Sequence, residues 1–137
     1  MEHGSFAFVA DRELIETLET RSKPVPCNED SVLFRQGETP KGLYILRNGE
    51  ALLTMKSKAG KEVMCFHVAP GSLLGLPGII GNAAYTLTAT ARKGSEVKFI
   101  ARRDFENLML AEPAMSFKVL QVLATEVRSA RKALAEK

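Results

Sequence analysis

The stretch from Pro70 to Ala91 carries the densest chemical signal in the chain, with Gly75, Gly78 and Gly81 bracketing Leu76-Pro77 and Ile79-Ile80. Glycine lets a backbone approach a ligand closely. Proline after Leu76 suits the first turn of a short helix, and free N–H groups at such an end favour an anion. The run has no P-loop lysine, and its glycines do not match a dinucleotide-binding loop. A plain connecting turn explains it equally well. Cys65 and His67 are the next candidates. Two residues apart on a strand, they share a face, as a metal or haem ligand pair would, or as an ordinary half-buried pair does. The other cysteine is Cys27 and the other histidine is His3. This inventory excludes a four-cysteine iron–sulfur site and leaves zinc short of its usual ligands, so no metal site is expected. No Ser-His-Asp or Cys-His set has supporting context, and the expectation is that the chain is not an enzyme.

The elements that position these residues follow from pattern. Leu14, Ile15 and Leu18 give Asp11 to Arg21 a helical apolar face, which Pro24 and Pro26 end in an extended segment. Short apolar runs then predict strands at 31–35, 43–47, 51–56, 63–68, 86–91 and 97–101, with a strand-like 72–74. Gln36-Gly37, Asn48-Gly49, Ala59-Gly60, Pro70-Gly71 and Lys93-Gly94 separate them as turns. Residues 102–110 predict a short helix, and a long one follows Pro113. That last helix carries Leu120, Leu123, Val127, Ala130 and Leu134 at alternating steps of three and four, a heptad seam suited to a homodimer. Met115, Phe117, Val119 and Val122 form a second apolar set, expected to pack back on the strands. The fold class is therefore mostly β with flanking helices, a jelly-roll or β-roll at residues 1–112 and a dimerisation helix at 113–137. The chain has 137 residues, 45% hydrophobic and 26% charged, with a net charge of +3. This is the balance of an ordinary globular domain. The absence of a secretory pattern or a long apolar run predicts a cytoplasmic protein without membrane contact.

In order along the chain, Gln36-Gly37-Glu38, Leu43 to Gly49, Gly60-Lys61-Glu62, Pro70-Gly71, Leu74-Gly75, Asp104-Phe105 and Pro113 resemble the effector domain of the Crp/Fnr transcription regulators, the cyclic-nucleotide-binding domain. The resemblance implies an eight-stranded β-roll, or double-stranded β-helix, and a long dimer helix. In that family a short helix after a Gly-Glu pair holds the cyclic phosphate with backbone amides. The glutamate holds the ribose hydroxyl, an arginine pairs with the phosphate, and the next serine or threonine adds a hydrogen bond. Here Gly75 matches the glycine, Leu76 replaces the glutamate, Tyr85 falls at the arginine position, and Thr86 keeps the hydroxyl. Phe66 stands where a small polar residue is common, and Ala130 and Arg131 stand where purine-contacting hydroxyls occur.

The pocket implied by this match comprises Gly75, Leu76, Pro77, Gly78, Tyr85, Thr86, Leu53, Cys65 and Phe66, with Leu87 beside them. It is apolar. Loss of one partner of a buried charge pair costs roughly 3–5 kcal/mol, so tight cyclic AMP binding is not expected. The readings left are a regulatory sensing domain for a less charged effector, a structural dimerisation module with a filled pocket, or a haem or gas sensor using Cys65 and His67. The first two stand ahead of haem. No segment offers a recognition helix, so DNA is expected to be reached only through a separate or missing helix-turn-helix domain.

Overall fold

The structure, a computed structural model, describes residues 4–6 and 10–135. Among these residues two sheets form. The first has the order β1(Gly4–Phe6), β6(Glu62–Val68), β5(Ala51–Lys56), β8(Thr88–Ala91), β3(Ser31–Phe34). The second has the order β2(Ser22–Val25), β9(Glu96–Ala101), β4(Gly42–Asn48), β7(Ser72–Leu74). Every pairing is antiparallel except the short β1, which runs parallel to β6. This is the expected β-roll, with β1 added at an edge that the sequence pattern did not show. Pro24 is tolerated within β2 because β2 is an edge strand.

The second sheet is buried on both faces, which explains why Leu43, Tyr44, Ile45 and Leu46 are apolar without alternation. Leu46, Leu74 and Val97 face the roll interior with Phe34, Leu53, Phe66 and Tyr85. Leu43, Ile45, Leu73 and Ile100 face outward beneath α1(Arg12–Glu19), α2(Leu76–Gly81), α3(Arg102–Ala111) and α4(Pro113–Ala135), and pack on Leu14, Leu18, Leu76, Phe105 and Val119. Asp11 caps α1 by accepting from the Leu14 N–H at 2.8 Å, and its carboxylate also pairs with Lys118 of α4. That pair fastens the long helix to the start of α1.

The inward face of α4 carries Met115, Val119, Val122 and Glu126, all buried. Phe117, expected to pack inward, instead projects outward at 64% exposure. The reason is phase: 115, 119, 122 and 126 lie at steps of four, three and four, and Phe117 sits on the opposite side. Leu120 and Val127 of the expected seam are exposed and Leu123 is half-buried. Ala130 and Leu134 belong to the same helix, but their side chains lie outside the described residues.

Candidate functional site

The six-residue helix α2 opens at Gly75, whose φ of +95° is a left-handed conformation that suits glycine. A Cβ there would lie 2.9 Å from Cε1 of Tyr85. At Gly78 a Cβ would lie 2.9 Å from Cγ of Pro40 and 3.4 Å from Cδ1 of Tyr85. The sequence left these glycines open to close approach by a ligand or to a plain connecting turn. In the folded chain they admit its own tyrosine and proline. At Gly81 a Cβ would meet nothing within 4 Å, so close approach does not explain that glycine.

Tyr85 is the centre of the arrangement. Its ring stacks on Phe34, with centroids 3.9 Å apart and planes at 20°. Its hydroxyl donates to the Gly42 carbonyl at 2.8 Å. Its backbone N–H donates to the Glu38 carbonyl at 2.9 Å, and the Gly37 N–H donates to the Tyr85 carbonyl at 2.7 Å. Burial pushes the phenol up from its ordinary value, which keeps it a donor at neutral pH. The residue expected at the arginine position is thus an uncharged ring turned into the core and held at both ends.

What remains beside it is a cavity of about 20 Å³, lined by Phe34, Leu53, Gly75, Pro77, Gly78, Tyr85, Thr86, Leu87 and Glu126. That volume holds roughly one water-sized group. Phe34 and Tyr85 also line a larger open cleft of about 610 Å³, whose other walls include Arg35, Glu38, Lys41 and Tyr44.

Of the pocket residues expected from sequence, Leu53, Gly75, Pro77, Gly78, Tyr85 and Thr86 come together here, with Leu87. Thr86 and Leu87 precede β8, which starts at Thr88 and not at Thr86. Leu76 points the other way, fully buried among Leu14, Leu43 and Phe105. Phe66 belongs to the roll interior but does not line the cavity. Cys65 cannot share its face, because adjacent strand residues point to opposite sides. Leu53 pairs with Phe66 and Thr54 with Cys65, so Cys65 and His67 stand on the face turned away from the cavity. His67 Nδ1 lies 2.8 Å from Glu50 Oε1, which also accepts from Arg92 Nε at 2.8 Å. A haem held by Cys65 and His67 would therefore be separated from this pocket by the sheet itself.

Phe34 and Glu126 are the residues that sequence reasoning missed. Glu126 is 7% exposed, and its Oε2 has no hydrogen-bond partner among the described residues. Burial pushes its carboxyl up to about 8. A signal for it existed: the inward series Met115, Val119, Val122 continues by four residues to Glu126.

Residues 24–112 match the family described as cyclic nucleotide-binding domain. The chain belongs to that family. This cyclic nucleotide-binding domain is of the Crp/Fnr type. It is 26% identical over 119 residues to the transcriptional activator protein FnrA of Stutzerimonas stutzeri, across 86% of this chain and 47% of that protein. It is also 26% identical over 105 residues to a lysophospholipase of Neurospora crassa, across 77% of this chain but 7% of that enzyme. The catabolite activator protein of Thermus thermophilus has the same fold, with a TM-score of 0.77 at 21% identity over 91% of this chain and 59% of that one. The chain thus spans about half the length of the curated regulator it matches, and a small fraction of the lipase.

The cavity beside Tyr85 is far smaller than a cyclic nucleotide. Among the described residues the one carboxyl group lining it is Glu126, which burial keeps protonated at neutral pH.

Proposed function

We propose that this domain is the sensing and dimerisation part of a Crp/Fnr-type regulator whose pocket is closed to cyclic nucleotides by its own side chains. The observation that carries this reading is Tyr85, stacked on Phe34 and hydrogen-bonded to Gly42 where the family's phosphate partner would stand. The domain acts by binding and pairing in the cytoplasm, not by catalysis. Its resemblance to an activator over most of its length, and to a lipase over a short part of that enzyme, supports a shared module separate from the chemistry. DNA contact belongs to a helix-turn-helix outside these residues. Thermal denaturation with millimolar cyclic AMP and cyclic GMP tests the closed pocket. An unmoved midpoint supports it, and a rise of several degrees refutes it.

Pairing runs along α4. Phe117, Leu120 and Val127 are exposed at 64%, 53% and 43%, an outward stripe at helical spacing. A second copy covers it in the reading proposed. A purely structural dimer module is favoured by the same small cavity. It differs by predicting that no effector of any charge raises the melting temperature.

A further inference from the structure

Among the described residues, Glu126 is the one polar α4 side chain that lines the cavity beside Tyr85, and it is nine-tenths buried. Its Oε2 takes no hydrogen bond from the α2 turn, from Thr86 or from any other described group. A buried acceptor left in this state is costly, so its presence in an otherwise apolar face calls for a partner. The groups facing it from the packed elements are Phe34 of β3, Leu53 of β5, Gly75, Pro77 and Gly78 of the α2 turn, and Tyr85, Thr86 and Leu87 of the loop before β8. Among the described residues none is a cation or a second carboxylate. The titratable one among them, Tyr85, has its hydroxyl committed to Gly42.

We infer that this pocket takes a small organic ligand bearing a protonated amine, its ammonium group seated against the Glu126 carboxylate. This deepens the sensing reading above and rests on it. A carboxylate supplies the charge-assisted acceptor that an ammonium needs. Two aromatic rings in the same lining, Phe34 and Tyr85, favour a cation and not an anion. Thr86 is exposed, so a tail attached to the amine leaves the cavity on its side. The cavity of about 20 Å³ matches one ammonium head and excludes a bulky quaternary one.

Binding must release a proton from Glu126, whose carboxyl sits near 8. Affinity for an alkylammonium therefore rises about tenfold per pH unit toward pH 8 and levels above it. The test is an NMR titration of the full chain, labelled with nitrogen-15, with methylammonium chloride from pH 6 to 9. Sodium chloride and sodium acetate serve as controls. Saturable shifts at Thr86 and Glu126 that sharpen with pH are expected, absent with both controls and weakened at least tenfold in Glu126→Gln. The inference is overturned by saturation that Glu126→Gln leaves unchanged, by affinity that does not vary with pH, or by no saturable shift at all. Cyclic AMP in a parallel titration separates the two readings. Shifts with cyclic AMP alone would overturn the amine and the closed pocket together while keeping a sensing domain. Shifts with neither would leave the closed pocket standing and the amine refuted.

Discussion

Two side chains decide the character of the pocket, and each makes a stability prediction. Tyr85 fills space that a ligand would otherwise use, so shortening it harms the fold. Tyr85→Ala is expected to cost about 3–5 kcal/mol in urea denaturation, from a cavity beside Phe34 and a lost bond to Gly42. Tyr85→Phe keeps the stack and is expected to cost only about 0.5–1.5 kcal/mol. A Tyr85→Ala variant as stable as wild type would mean that the ring is not part of the core. Glu126 predicts a pH profile. The native protein keeps its proton up to about pH 8, whereas the unfolded chain releases it near 4.5. The native state therefore binds more protons across that window, and stability falls as pH rises through it, flattening above about 8. Glu126→Gln has no such proton to lose. Chemical denaturation from pH 5 to 9 should show it gaining on wild type by a few kcal/mol at the upper end. Parallel curves for the two proteins would contradict the buried carboxyl. Sequence alone showed that Leu76 and Tyr85 lack the expected charges. It did not show that Leu76 faces the helices while Tyr85 faces the roll, because side-chain direction at a turn is set by neighbours far along the chain.

The strands were legible because glycine marks their ends. Gly37, Gly49, Gly60, Gly71 and Gly94, each expected in a turn, all have positive φ. Their surroundings differ, which gives a paired prediction. At Gly49, with φ of +93°, a Cβ would fall 2.3 Å from Ser95 Oγ and 2.7 Å from its Cα. At Gly60, with φ of +81°, it would meet nothing within 4 Å. Gly49→Ala is therefore expected to cost well over 2 kcal/mol, through strain and the displaced Ser95 bonds to Glu50. Gly60→Ala is expected to cost only about 1 kcal/mol from backbone strain. Equal shifts in melting temperature would overturn this account of the 48–49 turn. Helix α4 was legible as a helix, and Met115, Val119 and Val122 pack inward as expected while Phe117 does not. Two apolar sets overlap along it, and period alone does not choose between them. The outward line of Phe117, Leu120 and Val127 shares Leu120 and Val127 with the expected seam but replaces the half-buried Leu123 with Phe117.

At the scale of the whole molecule, the roll and helices form two apolar layers that share the second sheet, and the small cavity lies beside the inner one against α4. The long helix is thus the element through which a pocket event would reach a partner. The proposed pairing along it predicts a dimer in sedimentation equilibrium, and Leu120→Glu is expected to shift the chain to monomer at micromolar concentration. A wild-type monomer would remove the dimer from the account. No single described helix is long and apolar enough to cross a membrane. The order of elements could be read from sequence because turns and apolar runs are local signals. The closing of the pocket could not, because it depends on residues from Phe34 to Glu126 meeting in space. The most direct measurement is calorimetric titration of the purified chain with cyclic AMP at neutral pH. The closed pocket predicts no heat of binding at micromolar ligand, whereas a saturable isotherm with a micromolar or tighter Kd would contradict it.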